Sequence, residues 1–172
     1  MKNIGLAARF LPFFIFMFVA SYMHAQETQV IDGFKYFLNS IENVAIVLPN
    51  NYTQQEISIP SSVKYNGKEY TVVGIGKECF KDCTTLTKVI LPEKLTSIDT
   101  YAFSGCSSLA SIKFTSTIAK LGKEAFSGSG ITTVSIPGTI NIIDEYAFSK
   151  CKELRTVIIE EGVKEIHQGA FY

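Results

Sequence analysis

The 172-residue sequence predicts a repeat solenoid, mainly β with short helical turns, whose coils are about 23 residues long. Three observations predict it. Phenylalanines fall at 80, 103, 126, 148 and 171, with spacings of 23, 23, 22 and 23. Ile75, Ile98, Leu121, Ile143 and Ile166 keep the same step, as do Leu86, Leu109, Ile131 and Leu154. Between them, a stretch of alternating apolar and variable residues leads to a turn that closes on an Ala-Phe pair. A fixed period of about 20 to 50 residues dictates architecture, because one unit buries its apolar side only against the next.

Residues 1–25 read as a secretory signal peptide. MKNIGLAARF carries Lys2 and Arg9, LPFFIFMFVA is apolar, and SYMHA ends in a small residue, which is the charged, apolar and cleavage-site order of an export leader. A transmembrane anchor is the competing reading, but the unbroken apolar run from Phe10 to Ala20 is 11 residues, against the roughly 20 that span a bilayer. Cleavage is expected near Ala25 and Gln26, leaving no membrane span. The first cysteine is Cys79, so no thiol lies near the new terminus for a lipid anchor. Loss of Lys2 and Arg9 leaves 14 of the 16 basic residues against 16 acidic ones, a net charge of −2. No basic footprint for nucleic acid remains.

Residues 26–71 are expected to form an N-terminal β-hairpin cap and a lead-in hairpin. GFKYFLN and VAIVLP alternate or run apolar around NSIEN, and KYNGKEY carries Asn66-Gly67, a strong signal for a tight hairpin. Such a cap covers the raw core of the first coil and blocks edge-to-edge pairing. Tyr36, Tyr52, Tyr65 and Tyr70 cluster in this segment and suit packing within it, with a ligand-stacking platform as the alternative.

Residues 72–172 carry the solenoid, four coils plus a partial fifth. In LTKVILP, LASIKFT, ITTVSIP and LRTVIIE the period-two pattern marks strands. Val89 and Leu91, Ile112 and Phe114, Val134 and Ile136, and Val157 and Ile159 are expected to point inward. Leu95, Ile118, Ile140 and Val163 follow, each three residues before the next Ile or Leu. Asp99 and Asp144 suit N-caps for the turn that comes next. Stacking at about 4.8 Å between strands then sets the phenylalanines into one internal aromatic column.

The chemistry-bearing residues follow the same period. Cys83, Cys106 and Cys151 share a column in which Ser129 takes the third place, while Cys79 stands in the alanine place of Ala-Phe. Recurrence marks these thiols as architecture, since a catalytic nucleophile occurs once. Two readings stand: buried unpaired thiols, or a bridge between Cys83 and Cys106, whose adjacent coils fall within bonding range. The cysteines spread along the stack and do not converge on a metal. VVGIGKEC has Gly74 and Gly76 after a strand, but Cys79 holds the third glycine place and no strand-helix-strand unit follows, so a dinucleotide site is not expected. His167 lies in the last coil without a convergent catalytic set. Neither a cofactor nor a metal is expected, and the chain is read as a non-enzyme.

The repeat resembles the BspA-like leucine-rich repeats of bacterial surface proteins, whose units run Ile-Gly-x-x-Ala-Phe-x-x-Cys-x-x-Leu-x-x-Val-x-Ile-Pro. The match covers residues 72–172, and IPSSVKYNGKEYTVVGIG resembles the lead-in to a first unit. Lys94 stands where the better-known leucine-rich pattern has Asn or Cys. Thr115 and Glu160 replace the strand-terminal proline seen at Pro92 and Pro137. Neither departure is expected to disturb the fold.

The resemblance implies an adhesin-like protein, secreted or at the cell surface, that recognises host matrix proteins or bacterial surface proteins. A solenoid binds through the side chains projecting from its strand face. Those expected outward are Lys88, Ser111, Thr133 and Thr156 beside Ile90, Lys113, Ser135 and Ile158. The alternative is a structural or assembly component that self-associates into a homo-oligomer or docks to a larger surface protein through its C-terminal end. Its strand at Val157 to Ile159 is expected to form the edge for this, since exposed edges invite pairing.

Overall fold

The computed structural model describes residues 26–172, so the expected leader lies outside the described residues. The chain opens with β1 (Gln26–Ile31), β2 (Phe34–Asn39) and β3 (Val44–Leu48), paired antiparallel in sequence order. β4 (Glu56–Ser58) precedes a hairpin of β5 (Ser62–Tyr65) and β6 (Lys68–Ile75), in which Tyr65 faces Lys68. Asn66 and Gly67 between them have φ of 50° and 74°, the paired positive values of a type I′ turn that match strand twist. β3 runs parallel to β6 and so joins the meander to the first coil.

From β6 the chain winds as a mainly β solenoid held by three backbone ladders. One is continuous: β6, β8 (Ser97–Ile98), β9 (Lys120–Leu121), β11 (Ile142–Ile143) and β13 (Glu165–Ile166) pair in parallel. Ile75, Ile98, Leu121, Ile143 and Ile166, which keep step in the sequence, are register partners in that ladder. A second ladder runs through the turns. The amides of Phe80, Phe103, Phe126 and Phe148 donate to the carbonyls of Ala102, Ala125, Ala147 and Ala170 at 2.7 to 2.8 Å. The third holds the strand face, where β7 (Lys88–Ile90) pairs in parallel with β4, and β10 (Thr133–Ile136) with β12 (Thr156–Ile159).

The expected short helical turns are corrected: no element among the described residues is a helix. The turns at Phe80, Phe103, Phe126 and Phe148 carry left-handed residues two places before and two places after the phenylalanine, as Tyr101 (φ 57°) and Gly105 (φ 75°) flank Phe103. A right-handed helix does not pass through such residues. Asp99 and Asp144 accordingly cap no helix; their carboxylates accept the amides of the next residues, Thr100 at 2.8 Å and Glu145 at 2.7 Å.

The core is the aromatic column. Phe80, Phe103, Phe126, Phe148 and Phe171 stack with centroids 5.1, 5.1, 5.3 and 5.6 Å apart. Tyr52 extends it, 4.8 Å from Phe80, and Phe34 lies 5.8 Å beyond. Tyr52 is therefore the lead-in coil's counterpart of the repeated phenylalanine. Its hydroxyl donates to the Leu48 carbonyl at 2.9 Å and accepts the Lys35 amide at 3.2 Å, which satisfies a polar tip that phenylalanine lacks. Tyr36 and Tyr70 are also buried, and Tyr65 is half-buried.

Candidate partner-binding face

Strand alternation sorts the side chains of the third ladder. Val89, Leu91, Ile112, Val134 and Ile136 are buried, whereas Lys88, Ile90, Ser111, Lys113, Thr133, Ser135, Thr156 and Ile158 are all exposed. Ile90 and Ile158 are 51% and 52% exposed, so two branched apolar side chains stand in water on this face. Val157 and Ile159 are the register partners of the buried Val134 and Ile136 and so lie on the inward face, but they are 37% and 42% exposed. β12 pairs with β10 alone, and no strand stacks on its other side among the described residues.

The strand face is not continuous. At its other junctions, the residue that leads into each strand donates its amide to the equivalent residue one coil back: Thr87 to Gln55 at 2.7 Å, Thr132 to Ala110 at 3.0 Å, and Arg155 to Thr132 at 2.9 Å. The corresponding bond from Ala110 to Thr87 is missing, and LASIKFT, expected to be a strand, forms only an isolated bridge between Ser111 and Thr133. The coil differs in residue type at this level. Thr87 and Thr132 also tie their hydroxyls to the preceding coil, at 2.9 and 3.3 Å; Ala110 has no hydroxyl, but neither has Arg155, whose amide bond is kept, so the missing hydroxyl alone does not open the face. Phe114 stands where Leu91 and Ile136 stand; its larger ring is half-buried and meets Phe126 edge-on at 5.8 Å. Thr115 replaces the proline. The same replacement at Glu160 leaves β12 intact, so the lost proline alone does not open the face.

A cleft of about 800 Å³ lies where the pairing fails, between β7 and residues 111–116. It brings together Lys88, Ile90, Ser111 and Lys113 from the expected set, while Thr133, Ser135, Thr156 and Ile158 lie on the intact β10–β12 surface. Sequence reasoning did not place Glu93, Lys94, Phe114 and Ser116 at a binding site, although they also line the cleft. Their signal was present in Ala110, Phe114 and Thr115, three exceptions to the repeat within one coil. Three lysines against one glutamate make the lining cationic. Lys88 is engaged by Glu56 at 3.5 Å from outside it.

The thiols do structural duty. All four are free. Cys106 donates to the Phe80 carbonyl at 3.1 Å, Cys151 to the Phe126 carbonyl at 3.1 Å, and Cys83 to the Tyr52 carbonyl at 3.5 Å. Each thus caps the aromatic residue of an earlier coil. Burial pushes the Cys106 thiol up to about 12 and Cys79 higher still, the opposite of what a nucleophile needs. His167 lies between two carboxylates, its Nε2 3.2 Å from Glu165 and its Nδ1 3.4 Å from Asp144. The bond to Glu165 raises its pKa most, desolvation opposes that, and the bond to Asp144 adds to the rise.

The model of the BspA type leucine rich repeat region, in 6 copies, matches residues 73–172, and the chain belongs to this family. A solved leucine rich cell surface protein from Faecalibacterium prausnitzii is 24% identical with a TM-score of 0.67, the match covering 84% of this chain and 46% of that one. A leucine-rich repeat protein from Bacteroides ovatus is 25% identical with a TM-score of 0.60, covering 77% and 42%. Another, from Bacteroides capillosus, is 25% identical with a TM-score of 0.67, covering 77% and 98%. The chain spans less than half the length of the first two. No curated protein sequence matches it. Among the described residues no helix is long and apolar enough to cross a membrane. Family and fold together point to a protein-interaction module.

Proposed function

We propose that the chain is an exported, non-enzymatic binding module, adhesin-like, that holds a host matrix protein or a bacterial surface protein on its strand face. The observation that carries this reading is the exposure of eight outward side chains from successive coils on one side of the solenoid, with Ile90 and Ile158 among them. Exposed branched apolar residues on a rigid strand platform serve as contacts that lose little side-chain entropy on binding. The leader-like residues 1–25 and the cell-surface relative from Faecalibacterium prausnitzii support export, to the exterior or the cell surface. The test is retention of the purified protein on immobilised host matrix proteins and on whole bacterial cells. The double change Ile90→Asp and Ile158→Asp places both new charges in water and is expected to fold normally while losing retention. Equal retention by parent and variant contradicts the reading, and loss of cooperative melting shows that the faces are assigned the wrong way round.

A second reading rests on its own observation. Val157, Ile158, Ile159 and Ile166 are all exposed at the last described coil, an apolar strand edge available to another copy. Sedimentation across a concentration series tests it. Dimers abolished by Val157→Lys or Ile159→Lys without unfolding support homo-oligomerisation, and a monomer at every concentration rules it out.

A further inference from the structure

We propose that the cleft between β7 and residues 111–116 binds an extended segment of the partner protein with alternating acidic and apolar residues, added along the free edge of β7. The inference rests on the strand-face reading and assigns that face a specific site and a specific ligand chemistry.

Backbone geometry supplies the first argument. In a parallel pair, alternate residues direct their amides and carbonyls to opposite neighbours. Lys88 donates to the Gln55 carbonyl at 3.2 Å and the Ile90 carbonyl accepts the Ile59 amide at 3.0 Å, so both residues face β4. Val89 between them then directs its amide and carbonyl into the cleft, where neither has a backbone partner among the described residues. An unpaired edge with a donor and an acceptor aimed the same way is what an added strand requires.

Side chains supply the second. Ile90 and Phe114 give the cleft apolar surface, and Lys88, Lys94 and Lys113 surround it against Glu93 alone. Lys94 and Lys113 have no carboxylate partner among the described residues, and Lys88 already engages Glu56. Charge complementarity therefore selects an acidic segment, while the apolar surface selects alternate residues that pack against it. At about 800 Å³ the space is large enough for several residues of a peptide and lies within the range of about 300 to 1,000 Å³ for ligand sites.

The opening is local to one coil. The continuous ladder holds Ile98 against Leu121 in register at the same level of the stack, so the two coils part only at the strand face. Residues 110, 114 and 115 are the positions at which this coil leaves the repeat, and Phe114 and Thr115 line the gap.

Fluorescence anisotropy with a labelled peptide, Glu-Val-Glu-Val-Glu, tests the site. Saturable binding is expected. It should weaken at least about tenfold with Lys-Val-Lys-Val-Lys, and likewise when every backbone nitrogen of the acidic peptide is methylated. Lys94→Glu with Lys113→Glu should weaken binding by a similar factor without changing the melting temperature, whereas Lys77→Glu with Lys152→Glu on other surfaces should leave it unchanged. The triple change Ala110→Thr, Phe114→Leu and Thr115→Pro restores the residues of the preceding coil; it should raise the melting temperature and abolish binding. Failure to saturate at millimolar peptide, equal binding of the lysine peptide, or undiminished binding by the Lys94 and Lys113 variant overturns the proposal. If the peptide fails while Ile90→Asp with Ile158→Asp still abolishes retention of partner proteins, only the cleft assignment falls. If that double variant also retains partners normally, the strand-face reading falls with it.

Discussion

The rings of Phe103 and Phe126 lie 5.1 Å apart with 4° between their planes, although 23 residues separate them in the chain. Both are fully buried, and Phe148 continues the stack 5.3 Å further on. The column is the shared core of coils that have none individually, which makes its middle member the most informative one to remove. Phe126→Ala is expected to destabilise the protein by roughly 3 to 5 kcal/mol, the range for truncating a buried aromatic. Urea denaturation measures it, and a loss below about 1 kcal/mol contradicts a column that carries the core.

Free thiol chemistry should follow burial. Native protein is expected to react slowly with a thiol reagent, half-buried Cys83 and Cys151 ahead of Cys79 and Cys106, and unreduced denatured protein should yield four free thiols. Recovery of only two indicates a disulfide and contradicts the thiol-to-carbonyl capping. The same groups predict alkaline sensitivity. Burial raises the folded pKa, to about 12 for Cys106, whereas an unfolded thiol titrates near about 8.5. The folded state holds the proton longer, so this stability is complete below the unfolded value and falls as pH rises above it. Melting temperature should decline as pH is raised from about 8 to about 11, and Cys106→Ala should lessen the slope.

Strain in the turns is open to a stabilising change. Lys150 has φ of 56° in the place that Gly105 and Gly128 hold at 75° and 68°. A side chain in the left-handed region costs about 1 to 2 kcal/mol, partly offset by the greater freedom of glycine in the unfolded chain. Lys150→Gly is expected to gain about 0.5 to 1 kcal/mol in urea denaturation; a loss of stability contradicts the assignment of this position.

How much of this was legible follows from what repeats. The phenylalanine and isoleucine steps predicted the stack and the register of its continuous ladder, because every coil places those residues identically. The outward set from Lys88 to Ile158 was legible for the same reason. The helical turns were misread because non-glycine residues such as Tyr101 and Lys150 adopt left-handed backbone that sequence marks only at Gly105, Gly128 and Gly169. Tyr52 escaped the aromatic count because 28 residues separate it from Phe80, which breaks the period. The cleft depends on what Ala110, Phe114 and Thr115 fail to do together, and a period search averages such exceptions away.

The central claim is that the strand face, and not the turn face, meets the partner. Photo-crosslinking tests it most directly, with a benzophenone side chain placed singly at Ser135 or Thr156 on the strand face and at Lys81 or Lys150 on the turns, all exposed positions. The labelled proteins are illuminated in the presence of host matrix proteins or whole bacterial cells. Covalent adducts to a partner protein from Ser135 and Thr156 but not from Lys81 and Lys150 are the predicted result. Adducts from the turn positions alone, or equally from all four, contradict the account.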